Sequence, residues 1–237
     1  MSTAVVITTL NEIDGVKELL PKIKKEWAEE WLIVDGNSND GTVDEVKKLG
    51  FNVALQKKKG HGDAVSRGVS DTKSDFILYW GPDGNHELQE IPTLIGKIKE
   101  GFDQVIISRF GKTSVNLDAG RMDTFGNKMF TFLINIFFGG RLTDALNLSR
   151  IITRKSMLRL KFDAEGLDST TQMSIRALKQ KHKIIAISGN EGKRIGGKRK
   201  MEPIPVGWDL TKLIILEFIF WNNKKYKKFI VLRLLLK

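Results

Sequence analysis

Three apolar runs in this sequence lead into an acid, and a fourth ends on an arginine. "AVVITT" (4–9) precedes Glu12, "WLIVD" (31–35) closes on Asp35, "DFILYW" (75–80) is followed by Asp83 in "WGPDGN", and "QVIISR" (104–109) ends on Arg109. Carboxylates at strand ends can accept hydrogen bonds from a polar ligand, and open α/β sheets build their ligand platforms at that edge. The loop "GNSNDGT" after Asp35 also suits a plain turn, because Gly and Asn tolerate left-handed backbone. On these residues alone both readings stand.

The elements that must position these groups alternate in the α/β manner. Besides the four runs above, "NVALQ" (52–56) and "KIIAIS" (183–188) read as strands. Between the first two, Ile13, Val16, Leu19, Leu20, Ile23 and Trp27 recur at helical steps and predict one buried helical face. Strands alternating with helices imply a mostly parallel sheet covered on both sides. From about residue 121 the pattern changes: "RMDTFGNKMFTFLINIFFGG" reads as a helix, apolar nearly all round its second half and closed by Gly139 and Gly140, and a further helix is expected over 168–180.

The 237 residues, 41% of them apolar, permit a real core and exclude a disordered chain. The absence of cysteine excludes a disulfide framework and a thiolate metal site. No basic n-region or cleavage site opens the chain, so a cytoplasmic location is the expectation. The net charge of +11, concentrated in "EGKRIGGKRKM" and "NNKKYKKF", suits nucleic acid, an anionic membrane face or phosphate-bearing substrates. Nucleic acid is disfavoured, because these runs lack the interleaved aromatic residues on which single strands stack.

"VDGNSNDGT" (34–42) resembles the "DDGSTDGT" of family 2 glycosyltransferases. Asp35 matches its first Asp, Gly36 stands where the second is usual, and Ser38, Asp40, Gly41 and Thr42 fit the rest. "TTLNE" (8–12) is similar to the family's "PTYNE", and "GHGDAVSRG" (60–68) to its "GxGxAxxxG". The resemblance covers roughly residues 3–200. It implies a GT-A-type α/β fold, a UDP- or GDP-sugar donor and transfer with inversion. It further implies donor-binding roles for Thr8, Leu10, Glu12, Asp35, Asp63, Pro82, Asp83 and Arg109. Relatives commonly carry Asp-x-Asp after the fourth strand; here Gly81 replaces the first Asp, leaving Asp83 as the implied ligand of Mg²⁺ or Mn²⁺, with Asn85 assisting. Read singly, Glu12 also suits a helix N-terminus and "PDGN" a turn.

Within the family, "SR" (108–109) and the late basic loop "RIGGKRK" (194–200) resemble features of the polyprenyl-phosphate sugar synthases. That implies phosphate or acceptor contacts for Arg121, Arg194 and Lys198, with Arg194 also catalytic, since fixed guanidinium groups offset the charge of two phosphate-bearing reactants. Arg150 and Arg154, flanking "IIT", add to the cations, although any single arginine equally suits a solvated surface. For a general base, "FDAEGLDSTTQM" offers Asp163, Glu165 and Asp168; Asp168 is the candidate, and it is equally placed to be a helix N-cap. The relatives' "QMEM" is reduced here to Gln172-Met173, which a phosphate acceptor, already ionised, tolerates. His61, His86 and His182 show no metal spacing and read as incidental.

The chain divides into a catalytic domain (1–205) and an apolar, basic helical tail (206–237). The run from Leu213 to Trp221 is broken by Glu217 and is shorter than the roughly 20 residues that span a bilayer. Lys224, Lys225, Lys227 and Lys228 follow it. Such a tail suits attachment to an anionic membrane surface, or packing on its own domain or in a homodimer. The leading expectation is sugar transfer to a polyprenyl phosphate at the cytoplasmic membrane face. Its rivals are the same chemistry on a soluble or glycan acceptor, and a non-catalytic basic module that binds anionic lipid or nucleic acid.

Overall fold

Short runs rich in Val and Ile become the strands of one seven-stranded sheet in the computed structural model, which describes residues 1–197 and 201–220. In chain order the elements are β1 (Thr3–Thr9), α1 (Ile13–Leu19), β2 (Glu30–Asp35), α2 (Thr42–Lys48), β3 (Asn52–Leu55), α3 (His61–Ser70), β4 (Phe76–Trp80), α4 (Glu90–Ile98), β5 (Gln104–Ser108), α5 (Arg121–Phe138), β6 (Arg150–Thr153), α6 (Arg154–Arg159), α7 (Ser169–Lys179), β7 (Ile184–Ser188) and α8 (Pro203–Phe220). The strand order is β3-β2-β1-β4-β6-β5-β7. Every pairing is parallel except those of β6, which runs antiparallel to both β4 and β5. The order therefore reverses between β1 and β4, and the carboxyl ends of these two strands flank the crevice where open α/β sheets bind ligands.

Two departures from the sequence reading have local causes. The helix expected through Trp27 stops at Leu19, because Pro21 cannot donate into it, and the chain continues as two short 3-10 turns, Leu20–Lys22 and Lys25–Trp27. Its apolar face survives, with Val16, Leu19, Leu20 and Ile23 all buried. Strand β6 has no clear signal in the sequence, because "RIIT" is four residues long and begins on an arginine; β4 and β5 flank it, and the apolar clusters on the two faces take Ile151 and Ile152.

Apolar side chains fill both sides of the sheet. A third cluster, around Ile106, Phe130, Ile134, Ile175, Leu210 and Leu213, lies where α5, α7 and α8 meet. Helix α8 starts ahead of the 206 boundary, at Pro203. Leu213, Ile214 and Leu216, which the sequence offered as membrane-facing, are buried in the domain. Glu217 does not merely interrupt the apolar run. It is 1% exposed and takes Arg176 Nε at 2.7 Å, while Arg176, itself fully enclosed, reaches Asp163 at 2.7 Å with Nη2. Lys179 also pairs with Glu217. Trp221 and the lysines from 224 to 228 lie outside the described residues. Among the described residues no helix is long and apolar enough to cross a membrane.

Breaking a buried ion pair from one side strands a charge in a poorly solvating interior. Glu217→Ala is expected to cost about 3–5 kcal/mol, read as a lowered urea midpoint at unchanged m-value. The double variant Glu217→Ala/Arg176→Met should recover part of that loss. A Glu217→Ala midpoint equal to that of the unaltered chain would show that α8 is held by its apolar contacts alone.

Candidate functional site

The acids after β1 and β4 converge on one arginine. Arg194 Nη1 donates to Glu12 Oε1 and Oε2 at 2.9 and 3.1 Å, and its Nη2 donates to Asp83 Oδ2 at 2.9 Å. All three side chains are largely enclosed, at 7% exposure for Glu12, 23% for Asp83 and 19% for Arg194. The segment carrying Arg194 is strapped to the Asp83 loop through its backbone: Gly192 N–H donates to Asn85 O at 3.1 Å, and Ile195 N–H to Asp83 O at 2.8 Å. Gly196 and Gly197 then turn the chain at φ 66° and 64°, a region that costs glycine little. Gly15 in α1 is needed for a different reason, since a Cβ there would collide with the carbonyl oxygen of buried Pro82.

Asp35 acts on the loop that follows it. It is fully buried, its Oδ2 accepts from the Thr9 and Ser38 hydroxyls at 2.7 Å each, and its Oδ1 accepts from Ser38 N–H at 2.7 Å. Ser38 Oγ accepts in turn from Asn11 N–H at 2.7 Å, next to Glu12. Asp40 binds Thr42 and Ile13 N–H; burial opposes its charge, but these bonds outweigh it and hold the carboxyl below its ordinary range. The motif "DGNSNDGT" thus ties the ends of β1 and β2 together. Leu10 is exposed and Thr8 half-buried at the same edge. Asp63 accepts from Lys57 N–H at 2.8 Å and Lys58 N–H at 3.3 Å, fixing the loop before α3.

Arg109 sits in a network that the sequence did not reveal. Its guanidinium meets Asp144 with two bonds, Nε at 2.7 Å and Nη2 at 3.1 Å, and reaches Glu191 with Nη1 at 3.2 Å. Burial disfavours its charge, but Asp144 and Glu191 more than compensate and hold it firmly protonated. Glu191 also accepts from Asn116 and from Asn85 Nδ2, the latter at 3.4 Å, and Asn85 Nδ2 donates to Asp118 at 3.2 Å. The network therefore backs the Asp83 loop. Asp144 and Glu191 are distant from Arg109 in sequence and belong to no motif, so only the fold exposes them.

The remaining cations differ in placement. Arg121 is exposed at the first position of α5. Arg150 is wholly buried; Nε donates to Asn147 O at 3.0 Å and Nη1 to Ser174 Oγ at 3.0 Å, and burial lowers its pKa to about 9. Arg154 binds Ser74 O, Val69 O and Thr72 Oγ1 at 2.6–2.7 Å. Both are internal struts and not surface charges. Lys198 lies outside the described residues. Asp168 is buried at the N-cap position of α7, where its side chain makes no capping hydrogen bond. Gln172 is also buried, and it braces Asp163 and Ala164 N–H.

Two histidines prove structural and not incidental. His86 Nδ1 bonds Glu90 Oε2 at 3.0 Å; burial would lower its pKa, but Glu90 raises it on balance. His61 shares a 2.6 Å hydrogen bond with Ser169 Oγ, and its Nε2 is enclosed without a partner. Among the described residues no three or more His, Cys, Asp or Glu side chains form a group able to hold a metal. The oxygens nearest that task are the Asp83 carboxylate and Asn85 Oδ1, a buried acceptor that receives no hydrogen bond.

The model of the family described as "Glycosyl transferase family 2" matches residues 4–167. Glycosyltransferase AglJ of Haloferax volcanii is 26% identical over 180 residues, 76% of this chain; the chain spans 59% of AglJ's own length. A dolichyl-phosphate hexose transferase from the same organism is 24% identical over 214 residues, covering 90% of this chain and 92% of that protein. Among solved structures, glucosyl-3-phosphoglycerate synthase from Mycobacterium tuberculosis, in complex with Mn²⁺, UDP and glucosyl-3-phosphoglycerate, superposes with a TM-score of 0.66 at 20% identity. It covers 91% of this chain and 77% of that one, a likeness of fold.

His61 gives the site's surroundings a pH dependence. Burial, helped by nearby Arg150, pulls its pKa from 6.5 to about 4. The unfolded chain then binds the extra proton first, so the contribution to stability is present above pH 6.5 and is lost as the pH falls through about 4. His61→Gln should flatten the fall in melting temperature across that interval. Equal slopes for the variant and the unaltered chain would rule His61 out as the cause.

Proposed function

The chain belongs to glycosyl transferase family 2, and on that premise we propose that it moves a sugar, with inversion, from a UDP- or GDP-sugar to a polyprenyl phosphate. The observation that carries this reading is the Arg194 bridge between Glu12 and Asp83, across the crevice where the strand order reverses. Such a crevice takes nucleotides in open α/β sheets, and a guanidinium already placed there suits a diphosphate. The likeness to a dolichyl-phosphate hexose transferase supports the lipid-phosphate acceptor. On this reading the acceptor is met at the cytoplasmic face of a membrane.

Mg²⁺ or Mn²⁺, when bound, neutralises the leaving diphosphate. Asp83 would hold it, with Asn85 Oδ1 as a second oxygen; hard cations of this kind accept further ligands from phosphate and water. Glu12 accepts hydrogen bonds from the nucleoside, and Thr8, Leu10 and Pro82 wall its pocket. Asp35 and Asp63 serve the donor indirectly, by fixing the loops after β2 and before α3. Arg109 acts through Glu191 and Asn85 on the Asp83 loop. Arg194 exchanges its carboxylate partners for the donor diphosphate, and Arg121 and Lys198 take the acceptor phosphate. Asp168 would serve as base, a light duty when the acceptor is already ionised.

The Arg194 bridge makes the guanidinium a competitor of the metal for Asp83. Arg194→Gln is therefore expected to bind Mn²⁺ more tightly than the unaltered chain without donor present, on the order of tenfold, because the competent state no longer has to be released. Electron paramagnetic resonance titration of free Mn²⁺ reads this directly. The same variant should turn over slowly. Asp83→Ala should lose both Mn²⁺ binding and transfer. Wild-type Mn²⁺ affinity and turnover in Asp83→Ala would sink the assignment.

A further inference from the structure

The solvent side of α5 is apolar in helical register. Met122, Phe125, Met129, Phe132 and Ile136 recur at steps of three and four residues and are all exposed, Met122 by 69% and Phe125 by 68%, whereas Phe130, Thr131 and Ile134 turn inward. Helix α8 divides in the same way: Leu210, Leu213 and Ile214 enter the core, while Ile204, Trp208, Ile215 and Ile219 remain outside. The two outer stripes meet where Phe137 packs on Phe218, with ring centroids 5.3 Å apart. Exposed apolar residues normally occur singly. A face built by two helices marks an interaction surface.

Charge selects the occupant. Exposed Arg121 and Lys128 stand along α5, and Lys212 lies over the Trp208 ring at 5.3 Å. The whole chain carries +11, so pairing this face with a second copy brings like charges together, whereas an anionic leaflet attracts them. Aromatic and aliphatic side chains beside cations are the composition of a helix lying in a membrane interface. Position points the same way. The loop entering α5 exposes Val115 and Leu117, Leu117 N–H donates to Glu191 O at 2.8 Å, and Asp118 accepts from Asn85 at 3.2 Å. The segment leading into this face is thus fastened to the rim of the Asp83 crevice.

We propose that the outer face of α5 and α8 docks onto an anionic lipid leaflet and brings the crevice to the bilayer surface. This deepens the lipid-acceptor reading and rests on it for the use of the surface. Of the run expected to meet a membrane, the face keeps Ile215, Phe218 and Ile219 but not Leu213, Ile214 and Leu216, which are buried; α5 supplies the rest.

The test floats the full chain with vesicles of phosphatidylcholine and phosphatidylglycerol. The unaltered protein should bind, less so at high salt. Phe125→Ser/Phe132→Ser should lose vesicle binding by at least about tenfold at unchanged melting temperature, because both side chains are already exposed. Transfer to a short, water-soluble prenyl phosphate, measured in parallel, should be equal for the two proteins. Binding that survives the double substitution, or is absent from the unaltered chain, overturns the proposal. A dimer in sedimentation that the variant abolishes would give the face to a second copy and overturn it as well. Intact, Phe-dependent flotation without transfer to the soluble prenyl phosphate would leave the docking surface standing and strike the lipid-acceptor reading instead.

Discussion

Everything at the crevice depends on two carboxylates sharing one guanidinium. Glu12 and Asp83 follow strands that are adjacent in the sheet yet far apart in the chain, and both are largely withdrawn from water. Two acids placed so close in a poorly solvating setting repel each other unless a cation lies between them. Arg194 supplies it, and its segment is held in place by backbone bonds to Asp83 and Asn85. The bridge requires β1 beside β4, which the reversal of strand order provides, and a chain end that returns past β7 to the same edge. Sheet topology and local charge thus specify one arrangement together.

The same logic governs the interior. Arg109, Arg150, Arg154 and Arg176 are structural, and each is met by oxygens: Asp144 and Glu191 for the first, carbonyls and hydroxyls for the next two, Glu217 and Asp163 for the last. Buried charges are tolerated only when paired and fully hydrogen-bonded. These groups pin the long-range contacts that apolar packing leaves loose. Arg176 joins α7 to α8, and Arg109 joins the end of β5 to the loops around Asp144 and Glu191. Part of the basic surplus that suggests an anionic partner is therefore internal, which directs attention to the exposed cations along α5.

Much of the framework was legible because its signals are local. The strands lie within a residue or two of the runs that predict them, since period and β-branched composition are properties of a few neighbouring positions. Helix α5 ends where Gly139 adopts φ 68°, as its closing glycines indicated. Long-range pairing was not legible. Nothing near Glu217 reveals that Arg176 awaits it, nothing around "RIIT" marks a strand, and the glycosyltransferase-like motif at Asp35 gave no sign that its carboxylate would be saturated by Thr9 and Ser38. Nor could the sequence say which face of a nearly all-apolar α5 would be covered. The fold buries Phe130 and Ile134 and leaves the more regular stripe outside.

The single acid of the Asp83 loop fits this charge balance. Position 81 is not closed by its neighbours, because a Cβ on Gly81 would meet nothing within 4 Å. Packing therefore does not require glycine there. Across the crevice Arg194 already answers Glu12 and Asp83. A further acid at 81 would leave more negative charge than one guanidinium offsets, in a place where water screens it poorly. With one acid in the loop, a single guanidinium balances the crevice; a second acid would call for a further cation. On the proposed function, the glycine at 81 and the Arg194 bridge are two parts of one electrostatic solution, in which the chain's own cation balances the carboxylate that would otherwise hold a metal.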